Sequence, residues 1–126
     1  PVVIHCREAF SDFFEIIDNY PKIAGVLHCF TGTIQEAKQL IDRGWFISFS
    51  GIVTFKKSLD LQECAKIVPR GQLLIETDSP YLAPAPYRGK PNEPAYLVET
   101  AKFVANLRGI SLEELASATS QNTRSL

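Results

Sequence analysis

The sequence contains no methionine. A chain begun from its own initiator carries one, yet this chain opens directly on a strand-like apolar run at residues 2–6. Together these features lead to the expectation of a piece of a longer protein. Cysteine is scarce as well: Cys6, Cys29 and Cys64 are the only three, and no two form a CxxC pair. An odd, scattered set excludes a disulfide framework and a zinc ribbon, and it suits a reducing, cytoplasmic setting. No apolar run approaches the ~20 residues needed to cross a bilayer, and the opening residues do not read as a charged-then-apolar signal, so no membrane partner is expected. Charge of one sign is lacking too. Thirteen basic residues face fourteen acidic ones, for a net charge of −1. Without a basic excess the chain does not coat nucleic acid through a global field, although a local grip on a few phosphates stays open.

What is present is ordinary in amount and ordered in pattern. The 126 residues, 45% hydrophobic and 21% charged, suit one compact domain. Four short apolar runs, at 2–6, 24–30, 45–50 and 72–78, read as strands buried on both faces. Helical patterns lie between and after them, at 9–20, 34–43, 58–68 and 94–107, with a last one from Ser111. Phe10, Phe13, Phe14, Ile16 and Ile17 form one broad apolar face of the first helix. Thr33 with Glu36, and Ser111 with Glu114, are capping boxes. Gly44 ends the second helix and Pro69 stops the third. A Pro/Gly-rich loop fills 79–91. The alternation means an α/β protein with a parallel sheet and right-handed crossovers. It is either an open doubly wound sheet or a stretch of a TIM (β/α)8 barrel. No GxGxxG or GxxxxGK[ST] follows a strand, which weakens the nucleotide-binding version.

Strand alternation assigns the chemistry to one face. His5 shares a face with Val3, and His28 shares one with Val26. Ser48 pairs in this way with Ser50, and Glu76 with Asp78. Cys6 and Cys29 fall on the opposite face and read as small buried hydrophobes. Polar groups at the C-terminal ends of parallel strands are where barrel enzymes carry out chemistry. Two imidazoles and a carboxylate in one mouth suit a divalent ion such as zinc or manganese, with magnesium a poorer fit. Metal ions about 3.5–4 Å apart activate water and hold a leaving oxygen. On pattern alone, the ligand reading and a reading as hydrogen-bonded core histidines stand level.

The stretches VIHCREA (3–9), LHCFTG (27–32), ETDSPYL (76–82) and PYRGKPNEP (86–94), with the closing Asn122-Thr123 and Leu126, resemble the TatD family of metal-dependent deoxyribonucleases. The resemblance implies a TIM barrel of the metal-dependent hydrolase type with two divalent ions per full barrel. It maps His5 and His28 onto the histidine ligands of strands five and six. It maps Asp78 onto the strand-eight aspartate, which binds metal and helps activate the attacking water. The family's His-x-His pair on strand one and its mid-chain glutamate have no match, because this chain's two histidines are both used. Residues 1–126 are therefore expected to be the C-terminal half of a single barrel domain, covering strands 5–8 and their helices, with activity belonging to the longer parent.

Several neighbours carry expectations of their own. Glu76, one pleat deeper than Asp78, either orients a ligand or pairs with an unseen base. Arg88, Lys90 and Asn92 lie in the loop after the fourth strand, a common phosphate-binding position in barrels, and are expected to contact substrate. Arg7 contacts substrate or pairs with Glu8. The leading function is divalent-metal-dependent phosphodiester hydrolysis, a 3'-5' exonuclease acting on single-stranded DNA ends in a monomeric full-length parent. Two alternatives stand beside it. One is an amidohydrolase-like ester or amide hydrolase, such as a D-aminoacyl-tRNA deacylase. The other is a silent half-barrel that self-associates to cover its open sheet edges.

Overall fold

The computed structural model describes residues 1–126. Four parallel strands form one sheet: β1 (Val2–His5), β2 (Gly25–His28), β3 (Phe46–Phe49) and β4 (Leu73–Ile75). Five α-helices accompany them: α1 (Phe10–Asp18), α2 (Ile34–Asp42), α3 (Leu59–Ile67), α4 (Leu97–Arg108) and α5 (Leu112–Ser125). Spatial strand order follows chain order, β1-β2-β3-β4. A doubly wound sheet reverses direction at a switch point, whereas an arc of a barrel never does. The open doubly wound alternative is therefore excluded for this sheet.

The two sheet faces separate as alternation requires. Leu27, Ile47, Phe49 and Leu73 are buried in the main core, and Ile4 and Ile75 pack against it, all beneath the helices. Val3, Val26, Phe46, Ser48 and Leu74 take the opposite face, linked across the sheet by the pairings Val3↔Val26, Val26↔Phe46 and Ser48↔Leu74. His5 and His28 are directly paired on that face.

Helix α1 supplies the aromatic filling. Phe10 meets Phe30 edge-on with ring centres 5.8 Å apart, and Phe13 meets Trp45 edge-on at 5.2 Å, the geometry that places a ring's positive edge on its neighbour's face. Ile16, expected on this face, is instead 60% exposed. The buried stripe runs Phe10, Phe13, Phe14 and Ile17 at i, i+3, i+4 and i+7, and Ile16 falls off it. Both capping boxes form: the Thr33 and Ser111 hydroxyls accept from the amides of Glu36 and Glu114, whose carboxylates accept from the cap amides in return.

Two polar side chains fix the sheet to its surroundings. Asn122 on α5 donates from Nδ2 to the carbonyls of Arg70 (2.7 Å) and Leu73 (2.8 Å), pinning the entry to β4. Arg108 near the end of α4 donates to the carbonyls of Ala65 and Val68 at 2.7 and 2.8 Å. It thereby satisfies carbonyls that the end of α3 leaves free. No helix is long and apolar enough to cross a membrane.

Candidate metal centre

The site is built at the C-terminal ends of β1, β2 and β4. Because β1 and β2 pair in register at His5↔His28, the two imidazoles lie side by side. Nδ1 of His5 is 3.3 Å from Nε2 of His28. On its other side, His28 Nδ1 is 3.0 Å from Glu76 Oε1. The carboxylate can only accept, so Nδ1 of His28 is the donor in this contact and Nε2 is the nitrogen turned toward His5. His28, Glu76 and Asp78 each bring a ligand atom within 4.8 Å of the others, and all three residues are partly buried.

The donor set fits a metal ion. Two nitrogens bound to one tetrahedral ion at about 2.0–2.1 Å stand roughly 3.3 Å apart, the separation of His5 Nδ1 and His28 Nε2. The Glu76–His28 contact is the carboxylate–histidine pairing that fixes the tautomer and orientation of a ligating imidazole. Of the sequence-expected ligands, the structure brings His28 and Asp78 into one cluster, with His5 against His28. Glu76 joins as the partner of His28, at 3.0 Å from its Nδ1.

The fourth strand ends earlier than the sequence pattern implies. It stops at Ile75, so Glu76, Thr77 and Asp78 lie beyond it and strand alternation does not place them. The backbone turns sharply instead: Asp78 has φ 57° and Leu82 has φ 56°. Glu8 (φ 54°) and Cys29 (φ 47°) are also left-handed. All four residues stand in the segments that follow β1, β2 and β4, at the same end of the sheet. Such residues are uncommon outside glycine, cost about 1–3 kcal/mol each, and collect where a surrounding structure enforces a functional geometry.

Cys29 is a small buried residue, as expected, but its backbone leaves the strand period. Its left-handed backbone breaks the alternation that was to point it away from the histidines. The thiol is buried, yet it lies outside the main apolar core and meets the buried Ser50 hydroxyl at 3.3 Å. Burial pushes the Cys29 thiol pKa up and the Ser50 contact pulls it down, while the negative charges of Asp78 and Glu76 push it further up. The one side-chain hydrogen-bond contact of the thiol is with Ser50. No period-based signal could reveal this, because the deviation is a single residue's φ.

The loop after β4 is held from several directions. Asn92 is buried and its Nδ2 donates to the carbonyls of Thr77 (2.6 Å) and Tyr81 (2.7 Å), while Oδ1 accepts from the Glu93 amide. Its amide group is thus committed to shaping the loop that carries Asp78. A 3-10 turn at Gly51–Thr54, absent from the sequence reading, supplies a second fastening. Thr54 Oγ1 accepts from the Ala85 amide at 2.9 Å, and a Cβ on Gly51 would run into the Leu82 carbonyl. Arg88 and Lys90 are exposed and line an open groove of about 580 Å³ beside this loop. Arg7 is placed elsewhere. It borders an apolar hollow of about 630 Å³ along the open β1 edge with Ile4, Phe13 and Tyr20, and it forms no ion pair with Glu8.

Parallel strands in barrel order, with histidines and acids gathered at their C-terminal ends, define an α/β protein of the TIM-barrel type with a candidate metal site. The chain belongs to the family of TatD related DNases, which matches it over residues 1–126. It is 48% identical over 124 residues to the uncharacterized metal-dependent hydrolase YcfH of Escherichia coli K12, covering 97% of this chain and 47% of that protein. It is 41% identical over 133 residues to the 3'-5' ssDNA/RNA exonuclease TatD of Citrobacter rodentium, covering 100% of this chain and 51% of that one. Among solved structures it resembles YJJV, a TatD homologue from Escherichia coli K12, with TM-score 0.88 and 26% identity over 98% of this chain and 48% of the other. The chain spans about half the length of the relatives it matches.

Proposed function

We propose that residues 1–126 form the C-terminal half of a TatD-type barrel, strands five to eight, whose full-length parent is a divalent-metal-dependent phosphodiester hydrolase. It trims single-stranded DNA from the 3' end. The observation that supports this reading is the convergence of His5, His28, Glu76 and Asp78 from three strand ends. A relative bearing the same family pattern is named a single-strand exonuclease.

In this reading His5 Nδ1 and His28 Nε2 are metal ligands, and Glu76 holds the His28 ring through Nδ1. Asp78 would supply a carboxylate oxygen to the metal and would accept a proton from the attacking water. Zinc or manganese held there would supply Lewis acidity toward the phosphoryl group and the water. Further ligands for a two-ion site would come from the other half of the barrel. Arg88 and Lys90 face the phosphates of the incoming strand, while Asn92 acts through the loop.

The test is made on the full-length protein with a 5'-labelled single-stranded oligonucleotide and each of Mn²⁺, Zn²⁺ and Mg²⁺. Stepwise shortening from the 3' end, lost in Asp78→Asn and His28→Ala, is expected. No shortening, together with release of the amino acid from D-aminoacyl-tRNA, would replace this reading by the deacylase. The 126-residue chain expressed alone is expected to self-associate, because Val3 beside His5 is 70% exposed and both sheet edges are open. Light scattering at the monomer mass would contradict that.

A further inference from the structure

The groove beside the loop after β4 has a composition that the metal chemistry does not require. Tyr81, three residues beyond Asp78, is 71% exposed, the highest value among the exposed large hydrophobic side chains. Its amide donates to the Asp78 carbonyl at 2.9 Å, so a short turn joins the ring to the site. On the same groove, the Arg88 guanidinium carbon sits 4.0 Å from the centre of the Phe55 ring. Phe55 is itself anchored, since its carbonyl accepts from Gln62 Nε2 at 3.1 Å. The guanidinium lies over the Phe55 ring, and Arg88 remains exposed. No acid pairs with Arg88 or Lys90.

A groove with an open aromatic ring, a guanidinium over an aromatic face and a free lysine has two complementary features. Flat π-faces recognise other flat π-systems, and the unpaired cations recognise anions. A nucleotide offers both at once. Single-strand binders use the same combination: bases stack on aromatic or arginine planes while cations follow the backbone. An acidic peptide would use the cations and leave Tyr81 idle. A purely apolar ligand would leave two cations unpaired.

We propose that Tyr81 and the Arg88–Phe55 stack form a nucleobase subsite, with Lys90 on the adjoining phosphate, so that the protein engages a strand by base stacking as well as by its phosphodiester. The subsite tolerates any base, because it offers planes and no arrangement of donors that distinguishes one base edge from another. It rests on the phosphodiesterase reading for its orientation toward Asp78, and its binding test stands apart from hydrolysis.

The experiment uses the full-length protein in EDTA and measures anisotropy of a labelled oligothymidylate against a strand of the same length and charge built from abasic tetrahydrofuran units. Tighter binding of the base-bearing strand by about 10-fold is expected, the scale of one stacked base. Tyr81→Ala should bring the ratio close to one. Tyr81→Phe should keep it, because the ring and not the hydroxyl is used. Arg88→Lys should lower it although the charge is retained. Equal binding of the two strands by the unaltered protein would overturn the proposal, as would a Tyr81→Ala variant that weakens both strands alike. Oligonucleotide hydrolysis in Mn²⁺ separates the two readings. Cleavage by a protein that binds the base-bearing and abasic strands equally removes the subsite and keeps the phosphodiesterase. Tighter binding of the base-bearing strand without cleavage keeps the subsite and removes the phosphodiesterase.

Discussion

Glu76 Oε1 accepts a hydrogen bond from His28 Nδ1 across 3.0 Å, and this bond sets which nitrogen of His28 faces His5. The ring is presented in one tautomer and one orientation before any ion arrives. Replacing Glu76 with alanine should leave the fold intact and reduce metal affinity about 10- to 100-fold. Glu76→Gln keeps an acceptor oxygen without the charge and should fall between. Calorimetric titration of the full-length protein with Zn²⁺ or Mn²⁺ measures both variants.

Gly51→Ala tests the packing that carries Asp78. A Cβ there meets the backbone carbonyl of Leu82 and stands 2.8 Å from the Pro84 nitrogen, neither of which is a flexible side chain. The loop must move, at a cost of about 1–3 kcal/mol. Urea unfolding should show that loss, and metal affinity should fall with it although Gly51 touches no ligand.

Asn92 separates a loop-shaping role from substrate contact. Asn92→Ala leaves the Thr77 and Tyr81 carbonyls without their side-chain donor and should cost about 1–3 kcal/mol. Asn92→Asp should cost at least as much near neutral pH, because a carboxylate would face two carbonyl acceptors. Urea midpoints of both variants check this. A direct substrate contact would raise KM and leave stability unchanged.

Cys64 gives a pH signature. Burial pushes its thiol up to about 11 from an ordinary value of 9.0. Between those values the unfolded chain releases the proton while the folded chain keeps it, so the unfolded state binds fewer protons and stability falls as pH rises. Below about 9 the contribution is complete. Unfolding free energies measured across this window should decline less steeply for Cys64→Ala than for the unaltered protein.

Where the backbone keeps a regular period, the sequence shows what the structure holds. The placement of His5 and His28 on one face at their strand ends was legible because both lie within strands and alternation carries through to their side chains. The Thr33–Glu36 and Ser111–Glu114 boxes were legible because a cap is a local interaction over one helical turn. The Phe10, Phe13 and Phe14 stripe was visible too, while Ile16 was lost because nearness in sequence stood in for helical angle. Beyond the strand ends the rule fails. Cys29 leaves the strand period through one left-handed φ, and β4 stops before Glu76 and Asp78. Those acids were found through residue identity and motif, and their geometry depends on long-range fastenings by Asn92, Gly51 and Thr54. No local pattern encodes such contacts.

In the proposed site His5 and His28 bind one metal ion through nitrogens that already face each other, with Glu76 behind His28. Anomalous diffraction from crystals of the full-length protein grown with Zn²⁺ or Mn²⁺ tests this. An anomalous peak within about 2.2 Å of both His5 Nδ1 and His28 Nε2, with Glu76 still on His28 Nδ1, is expected. A peak held by the carboxylates with neither histidine nitrogen in range would contradict it.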